Sequence, residues 1–369
     1  VFFSDTGGLS FTQLNPVAGA REGDARSIEA RINLLERGLT QREWTLGAWW
    51  RDVDAGFSVA RQDVGLPIEE YGAEFAGQVS DDLRLTGRYS DATRGDDGIE
   101  QAQLMAEWRL AEFNALTGEL RTVTETRAGV SATGTLAAVR YSHRLGDSLD
   151  VYGIGQVTLD DDGGSYEGND AFTLGGKYLF GNLSTVGAEL TTGERGDAAS
   201  VNAEYRLSDL HSLYGSYTYS TDTTSGDPLY GATPTGLTFG QRWRISDQVN
   251  LFNESQFLKS RQESGIAHTY GMDFFPGLGW TLGFTLQKGE LESSLGLVDR
   301  RAVSVSAGRT DQDVNWTSKL EYREDTGVEE RTQWVTTNRL NWRLNEDWRI
   351  AARFNYGDTE DAFDAAANA

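Results

Sequence analysis

The sequence contains only three histidines, His143, His211 and His268, and histidine is the side chain that most often transfers protons in catalysis at neutral pH. Nucleophilic catalysis needs a nucleophile, a base and an orienting group within hydrogen-bond reach of one another. The spacing of these histidines suggests no such set, and no G-x-S-x-G elbow, H-E-x-x-H helix or phosphate-binding loop occurs. The sequence therefore predicts that the protein is not an enzyme.

Carboxylates are concentrated in segments rich in Asp and Gly. Asp160 and Asp162 belong to the run DDDGG, and Asp170 follows it, which gives this segment the carboxylate density of a calcium site. The spacing does not match the EF-hand pattern, so these three residues are weak candidates for a calcium site. No other cofactor is predicted. The absence of cysteine excludes disulfides and thiolate metal sites, and the net charge of −23 argues against nucleic acid as a partner.

Strict alternation of polar and apolar residues predicts β-strands along most of the chain. Near residues 313–323, Val314, Trp316, Leu320 and Tyr322 alternate with polar or charged residues. A period of two excludes an amphipathic helix, whose apolar residues recur every three or four positions. The other face is too charged for the core of a sandwich. An isolated Arg or Lys facing the middle of a bilayer would cost about 2–4 kcal/mol, so the charged face should line a lumen.

The predicted lumen-facing cations are Arg84, Arg109, Arg144, Arg206, Lys319, Arg323, Arg339, Arg343, Arg349 and Arg353. Many of them lie close to short polar turns, where they could form a basic collar that favours anions, since rings of Arg and Lys select anions. The alternative is a wall of cross-strand ion pairs and hydrated side chains. The sequence favours the ion-paired wall but does not exclude the collar.

A hairpin unit of about 33 residues recurs from residue 25 to residue 357. Each unit has two strands of about ten residues around a short turn, such as Gly146-Asp147-Ser148 or Asp311-Gln312-Asp313, and longer Asp/Gly/Ser/Thr-rich loops separate the units. This pattern predicts an all-β, up-and-down antiparallel transmembrane barrel. About 20 strands are visible, and they could be an incomplete part of a larger barrel.

The same pattern divides the chain into three parts. Residues 1–24 are predicted to be an irregular initial segment, 25–357 the barrel, and 358–369 an acidic, Ala-rich loop or tail that leads to missing sequence. No charged-then-apolar signal peptide is seen at the start. The simplest interpretation is a segment of a longer precursor.

Aromatic residues are predicted to form two belts at the membrane interfaces, as in outer-membrane barrels. The belt near the short turns contains Trp108, Tyr141, Tyr205, Trp243, Trp342 and Trp348, and Trp316 is a further interface residue. A second set is predicted nearer the opposite strand ends and comprises Trp44, Trp49, Trp50, Tyr217, Tyr219, Phe257, Tyr322 and Tyr356.

Two runs, GGKYLFGNLSTVGAELTTGERGDAASVNAEYRLSD and GLTFGQRWRISDQVNLFNESQ, resemble the barrel region of large, repeat-bearing bacterial outer-membrane proteins. In that family, immunoglobulin-like repeats, and in some members an OmpA-like module, accompany the barrel. The resemblance extends from about residue 171 onward. It implies an outer-membrane location and a barrel continuing beyond the chain, and it assigns no role to any residue.

These observations lead to a functional prediction. About twenty strands should enclose a lumen too wide for side chains alone to fill, because sixteen- to eighteen-stranded barrels already leave a channel. The predicted function is a pore or conduit for solutes or polypeptide in the bacterial outer membrane. The alternatives are a passive anchor for a large surface or periplasmic repeat protein and, remotely, an outer-membrane hydrolase. Predicted partners are membrane lipid, lipopolysaccharide and a plug, passenger or other domain of the same precursor.

Overall fold

The computed structural model describes residues 24–54, 58–59, 62–63, 67–221, 235–259, 263–293, 296–328, 330–345 and 348–361. Most of the predicted initial segment and residues 362–369 of the predicted tail lie outside this description. The strands are β1 Ala25–Asn33, β2 Trp44–Val53, β3 Ser58–Val59, β4 Gln62–Asp63, β5 Ile68–Gln78, β6 Leu83–Arg94, β7 Asp97–Ala111, β8 Asn114–Arg127, β9 Val130–Leu145, β10 Leu149–Asp160, β11 Ala171–Leu179, β12 Thr185–Gly193, β13 Gly196–Ser208, β14 His211–Ser220, β15 Thr235–Ser246, β16 Val249–Lys259, β17 Glu263–Gly277, β18 Trp280–Ser293, β19 Gly296–Thr310, β20 Val314–Gly327, β21 Arg331–Arg343 and β22 Arg349–Asp361.

Twenty of these strands form one sheet in which each strand pairs antiparallel with its neighbours along the chain. The sheet curls into a nearly closed, up-and-down barrel whose terminal strands are β1 and β22. The remaining two strands, β3 and β4, form a small hairpin in the connection between β2 and β5, and β3 lies against β21 and β22. The fold class predicted from the alternation is therefore confirmed. Within the described residues, no helix is long and apolar enough to cross a membrane.

The two faces of the sheet differ sharply in burial. Cross-strand partners share a face, and the pairings place every buried side chain of the sheet strands on one face, including Val123, Glu254, Arg300 and Val335. This is the concave face, which lines the lumen. Most of the large exposed apolar residues, such as Leu190 at 64%, lie on the convex outer face. Alternation along each strand thus separates a lumen wall from an apolar exterior.

One end of the barrel, here called the turn end, carries the short turns predicted from the sequence. The connections β5–β6, β9–β10, β13–β14, β15–β16 and β19–β20 all lie there. The turn between β19 and β20 is typical: one carboxylate oxygen of Asp311 accepts hydrogen bonds from the backbone N–H groups of Asp313 (3.0 Å) and Val314 (2.8 Å). A side chain that satisfies two turn amides explains why Asp and Ser recur at these positions.

The opposite end, here called the loop end, departs in part from the prediction that long loops separate the hairpins. Long connections exist at 54–67, 161–170 and 221–234, but Gly95-Asp96, Ala128-Gly129 and Glu194-Arg195 are tight two-residue links. The polar segments read as loops are strand extensions, so β9 has 16 residues. Beyond the lipid both faces of a strand meet water, so the alternation on which the prediction depends disappears there. Likewise β22 continues through residues 358–361.

Candidate functional site: the lumen wall

All ten predicted lumen-facing cations lie on the concave face that carries the buried residues. Their environments differ, however, and divide into three groups. Some form ion pairs at the rim of the turn end, some belong to a buried network on β19 and β20, and some form an exposed row on β21 and β22. Arg84 and Arg206 stand apart from these groups, on β6 and β13.

At the turn-end rim, arginines pair with the carboxylates of the turns. Arg109 contacts Asp82 at 2.8 Å, and Arg144 contacts Asp150 at 2.8 Å. These side chains are more than half exposed, so water and salt screen each pair and it contributes little to stability. Arg42 with Asp81 and Arg244 with Asp247 repeat the arrangement. Arg109 and Arg144, two members of the predicted basic collar, therefore have their charges balanced by carboxylates at the rim.

The second group, called the paired wall, comprises Arg300, Lys319, Glu321, Arg323 and Asp325 on β19 and β20. Arg300 donates two hydrogen bonds to Asp325, from Nε at 2.6 Å and from a terminal nitrogen at 2.7 Å, and the two side chains are 4% and 1% exposed. Glu321 lies between Lys319 at 2.9 Å and Arg323 at 3.5 Å. Buried charges need partners of this kind, because an unpaired one would lose its hydration without compensation.

The third group, called the arginine strip, comprises Arg339, Arg343, Arg349 and Arg353, all exposed on the lumen side of β21 and β22. Arg339 lies directly opposite Arg353, and Arg343 directly opposite Arg349. Like charges opposite each other on a sheet are unfavourable. Among the described residues only one carboxylate pairs with the strip, that of Asp313, at 2.9 Å from Arg343. The strip therefore gives one side of the lumen a positive charge.

Aromatic side chains on the lumen face hold further charges in place. The Tyr214 hydroxyl donates to Glu254 at 2.8 Å, and the guanidinium of Arg242 lies 4.4 Å from the Tyr214 ring centroid. The ring covers Gly240 on the next strand, where a Cβ would lie 2.5 Å from it. Two further units repeat this arrangement of aromatic ring, cation, acid and covered glycine: Trp49 with Arg88, Glu70 and Gly72, and Tyr152 with Arg140, Glu189 and Gly175.

The sequence reading missed these units and assigned Trp49 to an interface belt. In the structure Trp49 faces the lumen, because its register partner Glu29 and its hydrogen-bond partner Glu70 lie on the concave face. Trp44 was also misplaced: it lies at the turn end, packed on Phe75 at 6.2 Å between ring centroids. The missed signal is a lumen-side glycine beside each ring on the neighbouring strand, since glycine lets an aromatic side chain cross the sheet closely.

The connection at 161–170 folds towards the lumen at the loop end. Tyr166 is 4% exposed and packs on Val123 and Leu136, two lumen-facing residues. Arg195 lies over its ring at 5.0 Å and donates to the backbone oxygen of Glu167 at 2.9 Å. Burial raises the pKa of the Tyr166 hydroxyl above its ordinary value. This contact, which the sequence did not reveal, narrows the mouth of the barrel.

The weak calcium candidates lie in and beside this connection, where Asp160 and Asp170 line one acidic cavity and Asp162 lies outside its lining. An oxygen of Asp170 accepts the backbone N–H of Thr158 at 2.6 Å, and Asp161, not Asp162, caps the short turn at Gly164. Among the described residues no group of three Asp, Glu or His side chains is placed to hold a metal ion.

The predicted interface aromatics lie on the outer face near the turn end. Tyr205, Trp243 and Trp342 are half exposed there, with neighbours in register that are also apolar. Trp108, Tyr141, Trp316 and Trp348 complete the set. Nearer the loop end, Tyr270, Tyr322 and Trp334 lie on the same outer face, and the last two rings are 4.8 Å apart.

The three histidines are also accounted for. The ring of His143 contacts Asn114 at 2.6 Å, and that of His211 contacts Gln241 at 2.9 Å. His268 bonds through Nδ1 to the Ser255 hydroxyl at 2.8 Å, a Ser–His contact that the sequence did not predict. Among the described residues, no carboxylate hydrogen-bonds to His268 to complete a catalytic set.

Known proteins share this architecture but little sequence. No family model and no curated protein matches the chain. The siderophore receptor PirA from Pseudomonas aeruginosa superposes with a TM-score of 0.52 at 12% identity, over 80% of this chain and 67% of that one. The copper transporter OprC superposes with a TM-score of 0.53 at 10% identity, over 91% and 74%. At this identity the similarity defines the fold class alone, that of the large outer-membrane β-barrels.

Proposed function

We propose that this chain is an outer-membrane β-barrel whose lumen conducts solutes and favours anions, with the loop end outside the cell. The observation that carries this proposal is the arginine strip, in which four exposed arginines face the lumen in two opposed pairs. Such an arrangement lowers the energy of an anion inside the barrel and raises that of a cation.

The dimensions of the barrel support passage. Barrels of sixteen to eighteen strands leave a water-filled channel, and this sheet has twenty. The arginines of the strip remain exposed, so water reaches that part of the lumen. At the loop end, the connection at 161–170 and the paired wall reduce the opening. We therefore expect a conductance below that of an empty cylinder of this strand number.

The apolar outer face supports the membrane location. Exposed side chains such as Leu174, Leu190 and Phe239 would meet water in any other setting, and strand alternation with an apolar exterior is typical of outer-membrane barrels. This apolar face supports membrane lipid as a partner. The neighbours of known structure are receptors and transporters, which favours transport over catalysis.

The proposal is tested by single-channel recording of the purified protein in a phosphatidylcholine bilayer, with the reversal potential measured in a KCl gradient. We expect an open channel that prefers chloride, and a smaller preference in R339Q/R353Q. The matched control is K288Q/R301Q, which removes two cations from the outer face and should leave the preference unchanged.

Two results would contradict the proposal in different ways. An equal loss of preference in both double variants would show that the strip does not set selectivity. A folded, heat-modifiable barrel that carries no current would overturn the pore and favour the passive-anchor alternative, in which the barrel only tethers further domains or holds a passenger.

A further inference from the structure

Three basic side chains lie next to one another on the outer face, where apolar residues predominate. His268 on β17 is in register with Lys288 on β18, which is in register with Arg301 on β19. They lie on the same face as the apolar Leu286 and Val303, so they point away from the lumen. This row, called the outer basic row, is therefore separate from the lumen wall.

The height of the row matches one boundary of the membrane. Lys288 lies eight residues along β18 from Trp280, and Arg301 eight residues along β19 from Arg309, both reference residues being at the turn end. Eight residues rise about 26 Å along a strand, or roughly 20 Å along the membrane normal at a tilt of about 40°. The apolar band of such barrels is about 25 Å tall, so the row lies near its loop-end margin, from which long Lys and Arg side chains reach the headgroups.

Aromatic and apolar residues lie directly on the membrane side of the row. Tyr270 is 55% exposed and Trp334 is 49% exposed. Both face outward and lie two strand positions closer to the turn end than the outer basic row. Tyrosine and tryptophan rings mark the depth at which hydrocarbon gives way to headgroups. The basic side chains immediately beyond them would therefore meet the headgroups of the outer leaflet.

Carboxylates lie beside this row, but only one of them in the described part of the chain forms an ion pair with it. Arg301 is exposed and lies directly opposite Glu324 in register, without an ion pair among the described residues. Lys288 is 60% exposed and contacts Glu290 at 3.6 Å, on the side away from the membrane. His268 bonds to the Ser255 hydroxyl. Besides Glu290, two acids lie nearby: Asp299 is the register partner of Glu290, and Glu324 is the register partner of Arg301.

The opposite charge is found at the same height elsewhere on the barrel. Asp91 and Glu100 face outward, each eight residues from the turn-end residues Leu83 and Trp108. Their carboxylates accept hydrogen bonds from the hydroxyls of Tyr71 (2.8 Å) and Tyr89 (2.9 Å). The loop-end margin is therefore not a uniform charged collar. Cations are concentrated on β17–β19 and tyrosine-bound carboxylates on β6–β7.

We infer that the outer basic row binds the phosphate groups of the lipid A part of lipopolysaccharide in the outer leaflet. Lysine and arginine at a membrane surface attract anionic headgroups, and arginine can hold a phosphate with two parallel hydrogen bonds. The Ser255–His268 pair adds further hydrogen-bonding groups beside the cations. This inference rests on the proposed outer-membrane location with the loop end outside, but not on conduction through the lumen.

The test measures binding of bisphosphorylated lipid A and of dephosphorylated lipid A to the whole purified protein in detergent micelles. We expect a preference for the phosphorylated form that falls about thirtyfold in K288Q/R301Q, as removal of two surface cations predicts. The matched control R309Q removes an outward-facing cation at the turn end and should keep the preference. Phosphatidylglycerol in the same micelles distinguishes lipid A from any anionic lipid.

Each outcome decides the inference. An unchanged preference in K288Q/R301Q, an equal loss in R309Q, or equal binding of phosphatidylglycerol would overturn it. Chloride preference is recorded on the same preparations, so the two proposals fail separately. Normal conduction without lipid A preference overturns only the lipid site, whereas lipid A preference without current overturns only the pore.

Discussion

The paired wall and the arginine strip lie on neighbouring strands of one lumen face, yet they treat charge in opposite ways. In the paired wall, Arg300 and Asp325 are almost completely buried and joined by two short hydrogen bonds. In the arginine strip, Arg339 faces Arg353 and both remain exposed. Water in the lumen can hydrate the strip, whereas the buried wall must supply its own counter-charges.

This difference shows that the lumen contains two kinds of charged surface, one buried and ion-paired and the other exposed and hydrated. Towards the loop end, a dehydrated network fixes its side chains and contributes to the shape of the barrel. Towards the turn end, an exposed row leaves its charge available to a passing solute. The position of a charged residue on the lumen face therefore does not by itself reveal its role. Whether its surroundings are hydrated decides whether it stabilises the barrel or can interact with a solute.

The largest expected effect is on stability in the paired wall. D325N removes the carboxylate that binds both nitrogens of Arg300, and breaking a buried ion pair typically costs about 3–5 kcal/mol. We expect the protein in micelles to unfold at a lower concentration of guanidinium chloride, with tryptophan fluorescence reporting the unfolding midpoint. The matched control is D313N, which breaks the exposed pair with Arg343 and should cost about 0–1 kcal/mol. Equal losses in the two variants would remove the distinction between the regions.

A smaller effect should appear when the strip is made to resemble the wall. R353E places a carboxylate opposite Arg339, so a repulsive pair becomes an attractive one worth about 0.2–1 kcal/mol. We expect a slightly raised unfolding midpoint together with a reduced chloride preference in the reversal potential. A raised chloride preference, or strong destabilisation, would contradict the interpretation of the strip as an exposed, unbalanced row.

The smallest expected effect is on the pH dependence of stability, through the Asp311 carboxyl in the turn between β19 and β20. Backbone hydrogen bonds from Val314 and Asp313 hold the pKa of the Asp311 carboxyl below its ordinary value. Because the folded pKa is depressed, the stabilisation is complete above the unfolded pKa, about 3.9, and is lost as the pH falls through the folded pKa. We expect the unfolding midpoints of wild type and D311N to differ at neutral pH and to converge in strong acid. A constant difference would exclude this linkage.

The alternation made the barrel predictable, since a residue's parity along a strand assigns it to one face. The ten lumen cations and the turn-end aromatics could be placed in this way. Trp49 could not, because a single aromatic residue fits an interface belt and a lumen wall equally well until its partners Glu70 and Arg88 are known. The inward fold of Tyr166 was equally hidden, because it depends on contacts between distant segments.

The resemblance to repeat-bearing outer-membrane proteins stays a prediction, since no family model matches the chain. The same holds for the partner domains that it implies. The pore and anchor alternatives are distinguished by whether the purified protein carries current.

By itself, the sequence determined the strands, their two faces and the turn-end connections, because these depend on local alternation and on turn residues that bond to neighbouring amides. Only the tertiary structure decided which charges are paired. Strand register brings Arg300 to Asp325 and Arg339 to Arg353, and register is set by the pairing of whole hairpins. The charge pairing in the lumen therefore depends on long-range strand pairing, although the local alternation of the sequence is enough to predict the strands that form the wall.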